Sequence, residues 1–203
     1  MALDVQTVNG VMRRVPTWPV YLLGLLVPGW FLWLGMTGGL GVEPIKALEH
    51  RLGELALQVF VATLAVTPLR RFTGVNLLKF RRALGLLTFY YVALHLLVWL
   101  VLDVGDAGRI WADIVKRPYI TIGMAGFLLL VPLAVTSTNG WVRRLGAPRW
   151  RRLHQLSYGA AVLGAVHFVM LAKTWAAEPL LYLAAVLCLL ALRIRLPRAR
   201  VPA

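Results

Sequence analysis

Three of the four histidines in this chain, His95, His154 and His167, stand in apolar surroundings. His95 lies in the uncharged stretch Ala83–Leu102, and His154 and His167 share the stretch Leu153–Ala172. An ionisable side chain at membrane depth is costly, which makes each a functional candidate. His95 lies 13 residues beyond Arg82, and His167 lies 13 beyond His154, which follows Arg151, Arg152 and Leu153. At about 1.5 Å per helical residue, each climbs about 20 Å from a basic entry. Two neutral imidazoles at one depth on two helices are what a six-coordinate haem needs on its axial faces. Histidines that only bridge two helices by hydrogen bonds would leave the same pattern. Zinc is less suited, because no third nitrogen, sulfur or carboxylate ligand lies at that level.

His154 belongs to a second level, where the helix of His95 offers Arg81 and Arg82 instead of a histidine. Arginine does not ligate iron but pairs well with propionate or phosphate, so these two are candidate cofactor contacts. Thirteen residues turn a helix by about 1300°, so His154 and His167 point about 140° apart and serve different neighbours on a straight helix. His50, beside Glu49, Arg51 and Glu54, reads as an interfacial residue. Thr136, Ser137, Thr138 and Asn139 read as polar groups that satisfy a helix end, with a headgroup or cofactor as the alternative. Phosphate loops, dinucleotide glycine motifs and nucleophile–base pairs are missing, so no residue is assigned a catalytic role.

The elements that must position these side chains follow from composition. Of 203 residues, 60% are hydrophobic and 15% charged. Soluble domains carry about 45–50% apolar and about 25% charged residues, so this chain belongs in a bilayer and membrane lipid is its surround. The single cysteine, Cys188, excludes an internal disulfide framework and cysteine-based metal sites. Cutting the chain at its charges leaves six apolar intervals: Val15–Val42, Leu55–Leu69, Ala83–Leu102, Pro118–Val142, Leu153–Ala172 and Pro179–Leu192. The second and sixth hold 15 and 14 residues. Both fall below the about 17–25 that a span needs, and reach across only if flanking charges lie in the interface. The expected fold is an all-α integral membrane protein, one domain over residues 1–203. Its six helices are expected at about 17–37, 50–69, 83–102, 119–139, 153–173 and 178–195. Pro132 predicts a kink in the fourth, and Ile110–Val115 a short interfacial helix.

Charge placement orients the bundle. Sixteen of the 22 basic residues fall before span one, between spans two and three, between four and five, and after six, while seven of the eight acids fall on the other side. The positive-inside rule then puts both termini in the cytoplasm, and the alternation requires an even number of spans. Net charge +14 is therefore a topology signal and argues against nucleic acid as a partner. Trp18, Tyr21, Trp30, Trp33, Tyr119, Trp141, Trp150, Trp175 and Tyr182 sit near span ends, as an interfacial aromatic belt does. A cleaved leader fits poorly, because span one is too long for one and no clear small-residue cleavage site follows it.

A set of ordered strings links these residues to a known family. They are Gly38-Gly39-Leu40-Gly41 with Glu43-Pro44, Thr67-Pro68-Leu69, the run from Arg81 to Leu86, and His95. They continue through the run from Lys116 to Gly123, Thr136-Ser137-Thr138, the run from Trp150 to Tyr158, and His167. In order and spacing the chain resembles, from about Trp30 to Arg193, the MsrQ (YedZ) family of haem-binding membrane subunits. That family lies within the ferric-reductase-like transmembrane superfamily. The resemblance implies a multi-pass b-type cytochrome of the bacterial inner membrane. It would pass electrons to a periplasmic molybdopterin subunit that reduces methionine sulfoxide in oxidised proteins, so sulfoxide catalysis belongs to the partner. It implies haem b and FMN as cofactors, with electrons from quinone or a cytoplasmic flavin reductase. By position, His95 and His167 would ligate haem and His154 is a third candidate. The superfamily's second haem is not supported, because the matching site holds arginine. The nearest alternative is a stand-alone haem-containing ferric or quinone-linked reductase, and a more distant one is a transporter or inert anchor.

Overall fold

The computed structural model describes residues 4–172 and 176–193. Lys173, Trp175, Arg195, Arg198 and Arg200, counted above in the charge and aromatic patterns, lie outside them. The described residues are all-α: α1 (Val5–Arg14), α2 (Trp18–Met36), α3 (Pro44–Thr73), α4 (Arg81–Val98), α5 (Ala107–Lys116), α6 (Pro118–Val135), α7 (Asn139–Leu145), α8 (Ala147–Leu153), α9 (Leu156–Leu171) and α10 (Ala177–Ala191). Among the described residues four helical segments have the length and apolarity to cross a membrane, namely α2, α3, α6 and the run Leu78–Val104 that contains α4. At 16 and 15 residues, α9 and α10 are shorter than the about 17 that a perpendicular span needs.

The short second interval becomes the longest helix, 30 residues. Cutting at charges understates it, because Lys46, Glu49, His50, Arg51 and Glu54 occupy its first turns without ending it. Pro44 starts it with a pre-set φ, Gly74 closes it at φ 77°, and Arg70 and Arg71 complement the dipole in its last turn. α4 runs on as a π-helix over Trp99–Val104, which carries Trp99 inward to 7% exposure. The short helix expected at Ile110–Val115 extends over all of α5, with Trp111 and Val115 exposed on it. Pro132 lies inside α6, four residues before its end cap.

α3 packs on α4 and α6 on α9; α4–α6 and α3–α9 contacts join the two pairs into a four-helix bundle. α10 lies against α9 and α3, and α2 against α3 and α4. Among α2 residues only Gly24 and Pro28 are buried, so Leu22, Leu23, Leu25, Leu26 and Trp30 face outward, as on a lipid-facing helix. The main core joins Phe60, Leu64, Leu130, Leu133, Ala160, Ala161, Ala165 and Val186. Small residues on α9 let the backbones approach: a Cβ on Gly126 would lie 3.7 Å from the Ala160 carbonyl and 3.8 Å from the Gly164 nitrogen.

Two intrahelical prolines are repaired from outside their own helix. Pro28 and Pro68 have no N–H to give the carbonyls of Gly24 and Leu64, four residues back. The Tyr91 hydroxyl donates to Gly24 O at 2.8 Å, and the Arg193 guanidinium donates to Leu64 O. In hydrocarbon an unmet carbonyl costs heavily, so these donors bolt α2 to α4 and the chain after α10 to α3. Tyr91 is 2% exposed. Tyr91→Phe is expected to cost about 1–3 kcal/mol by orphaning the Gly24 carbonyl. Thermal unfolding in detergent should show the lower Tm, with Tyr90→Phe as the comparison variant.

Candidate functional site

Between the helix pairs α3–α4 and α6–α9 lies a cavity of about 420 Å³, within the about 300–1,000 Å³ typical of cofactor sites. Its deep wall is apolar or small: Ala56 and Phe60 of α3, Val92 of α4, Phe127 and Leu130 of α6, Ala160 and Gly164 of α9. The end with mixed charges is lined by Lys46, Glu49, Glu54, Asp103, Arg117 and Glu178, with His50 among them. His95 and His167 enter this cavity from opposite helix pairs, their ring centres 6.2 Å apart and their planes crossed at 77°. An imidazole nitrogen lies about 1.1 Å from its ring centre and a metal–imidazole bond is about 2 Å, so rings sharing one metal have centres about 6 Å apart.

Each ring is held from behind in the same way. His95 Nδ1 lies 2.9 Å from the Glu49 carbonyl of α3, and His167 Nδ1 lies 2.7 Å from the Tyr119 carbonyl of α6. A carbonyl only accepts, so both Nδ1 atoms carry the proton and both Nε2 lone pairs are left for a ligand. The residues four beyond the acceptors are Gly53 and Gly123, and the imidazoles press on them: a Cβ would sit 3.1 Å from His95 Nδ1 and 2.8 Å from His167 Nδ1. Sequence reasoning found the two histidines and missed these four supports. The glycines are visible in the chain, but nothing there says which histidine faces them.

His154 stands apart, at the basic end and outside the residues that line this cavity. Its ring stacks on Trp150 with centres 3.9 Å apart, and its Nε2 lies 3.2 Å from Thr136 Oγ1. That hydroxyl gives its own hydrogen to Pro132 O at 2.6 Å, so it accepts from His154 Nε2–H. Arg82 donates to Asn139 Oδ1 at 2.7 Å. Arg81 faces Arg193 and the Tyr158 hydroxyl, and Arg193 also donates to that hydroxyl at 3.1 Å. Ser137 Oγ donates to Leu133 O and Thr138 Oγ1 accepts from Trp141 N, so the polar run does close helix ends.

Residues 52–165 match the family described as ferric reductase like transmembrane component. Named relatives extend the match. The chain is 48% identical over 204 residues to the protein-methionine-sulfoxide reductase heme-binding subunit MsrQ of Brucella anthropi, covering 98% of this chain and 92% of that one. It is 50% identical over 189 residues to the proteins of the same name in Brucella ovis and Brucella canis, covering 92% of this chain and 86% of each.

The hydrogen bonds fix the tautomers. Nitrogen-15 NMR of the histidine-labelled, ligand-free protein is expected to show protonated Nδ1 and bare Nε2 at His95 and His167, with Nε2 protonated at His154. Protonated Nε2 at either cavity histidine would contradict the geometry.

Proposed function

The chain belongs to the MsrQ family of haem-binding subunits of protein-methionine-sulfoxide reductase, within the ferric-reductase-like transmembrane components, and on that premise we propose that it is a b-type membrane cytochrome whose haem is ligated by His95 and His167. The observation that carries this reading is the pair of imidazoles facing one another at 6.2 Å across an apolar cavity. The donor set fits: two neutral nitrogens with their outer N–H groups already bonded, as is usual behind metal-bound imidazole. When bound, the haem supplies a one-electron carrier.

The chain's own residues supply the rest. The Glu49 and Tyr119 carbonyls orient the imidazoles and raise their basicity. Phe60, Phe127 and Leu130 keep water from the deep wall, and Lys46 and Arg117, each beside an acid of its own (Glu43 and Asp113), are the cations at the mixed-charge end that propionates would meet. This reading leaves His154 to pack against Trp150 and Thr136.

The family's name supports a sulfoxide-reducing partner, taken here as a periplasmic molybdopterin subunit. The electron donor is quinone or a cytoplasmic flavin reductase, and the location the bacterial inner membrane. Six spans with cytoplasmic termini fit the gathering of Arg81, Arg82, Arg151, Arg152 and Arg193 away from the cavity's open end. FMN belongs to the reading through charge and polarity alone: Arg81 and Arg82, with the Thr136–Asn139 end, are the groups suited to its phosphate.

The purified protein is expected to give a sharp low-spin b-type spectrum on dithionite reduction and one haem per chain by pyridine haemochrome. His95→Ala and His167→Ala should each lose it, and His154→Ala should keep it. A colourless protein after expression with ample haem would overturn the assignment. A reporter fused after Arg193 that is active only in the cytoplasm tests the orientation.

A further inference from the structure

Four lateral hydrogen bonds to carbonyls of α2, α3 and α6 share one pattern. A helix carbonyl points toward the residue four ahead, whose Cβ leans back toward it and shields it from the side. Tyr91, His95, Arg193 and His167 reach Gly24, Glu49, Leu64 and Tyr119 from outside those helices, and the residues four ahead of these are Pro28, Gly53, Pro68 and Gly123. The proline cases repair a missing donor. The glycine cases are different, because the carbonyls keep their helical partners and the missing Cβ gives room for a flat ring.

We propose that Gly53 and Gly123 are positioning residues that set the planes of the two imidazoles, and through them the electronic state of the iron; this rests on the haem reading above. Each ring is fixed at two points, by its Nδ1–H bond to the carbonyl and by contact with the glycine four residues on. His167 is the more tightly held. A Cβ on Gly123 would lie 2.8 Å from Nδ1 and 3.0 Å from Cε1, whereas one on Gly53 would lie 3.1 and 3.2 Å from the same atoms of His95. The stations stand on different helices, α3 and α6, and their orientation yields planes crossed at 77°.

Crossed planes have a chemical consequence. An axial imidazole donates π density into the iron d orbital perpendicular to its ring. Parallel rings both raise one orbital and split the pair, whereas crossed rings raise both alike. The ferric protein then gives a strongly anisotropic low-spin resonance with one dominant high g feature. Its ferric state is also less favoured than with parallel rings, which raises the midpoint potential. Turning either ring toward its partner restores the splitting and lowers the potential.

The test is electron paramagnetic resonance and redox titration of the haem-loaded protein and three variants. Gly29→Ala is the control, since a Cβ there meets nothing within 4 Å. Gly123→Ala is expected to move the dominant g feature toward an ordinary rhombic low-spin signal and to lower the potential. Gly53→Ala should move both by less, and Gly29→Ala should leave both in place. If Gly123→Ala does not fold, Gly53→Ala decides by the same readings. A crossed-plane signal that persists unshifted in the glycine variants overturns the inference alone. A rhombic signal in the unaltered protein does so as well. A protein without haem overturns the haem reading and takes this inference with it.

Discussion

The backbone carbonyls of Glu49 and Tyr119 are the points on which the site turns. Each serves two donors, the N–H four residues on in its own helix and an imidazole from the neighbouring one. In an apolar medium a helix has already satisfied its carbonyls, and nothing competes with a second donor that reaches them. The same bond that docks α4 on α3 and α9 on α6 also chooses the histidine tautomer. Packing and chemistry are therefore not separable here: the bonds that close the two helix pairs leave two bare nitrogens aimed across the space between them.

That space exists because the pairs are held apart by different means on different levels. Below the histidines the walls are Ala56, Ala160 and Gly164 on the small side and Phe60, Phe127 and Leu130 on the large, which makes a broad apolar slot. Beyond the slot α3, α9 and α10 close fully on one another, with Leu64, Ala161 and Val186 at 1% exposure or less. Proline plays its part at this end and along α2. By removing a donor it turns Gly24 and Leu64 into sockets for Tyr91 and Arg193, so helices that have little polar surface still gain specific registers. A bundle bound only by apolar contact in lipid would slide, because hydrocarbon competes equally for every leucine.

The class of fold and the histidine pair were legible because each rests on a local or one-dimensional property. Apolarity sets membrane residence, and residue count sets depth along a helix, which places His95 and His167 together without any tertiary information. Helix ends were less legible. α3 outran its expected span of about 50–69 at both ends, because Lys46 and Glu49 at its start and Arg70 and Arg71 at its end were read as boundaries. The depth count already set His154 on another level from the pair; what it misplaced is the helix, because His154 caps α8 in the turn ahead of α9, where it meets Trp150 and Thr136, and does not share α9 with His167.

Hydropathy, charge and rise per residue are additive along a chain, and they suffice to read off a helical membrane bundle, its basic end, and two imidazoles on one level. Which glycine lies behind which histidine, which carbonyl takes each Nδ1 proton, and the crossing of the rings at 77° came from packing alone. Those depend on the rotation of each helix about its own axis, and rotation is settled by the neighbouring helix: by where a missing Cβ or a missing N–H opens the backbone to a donor from outside.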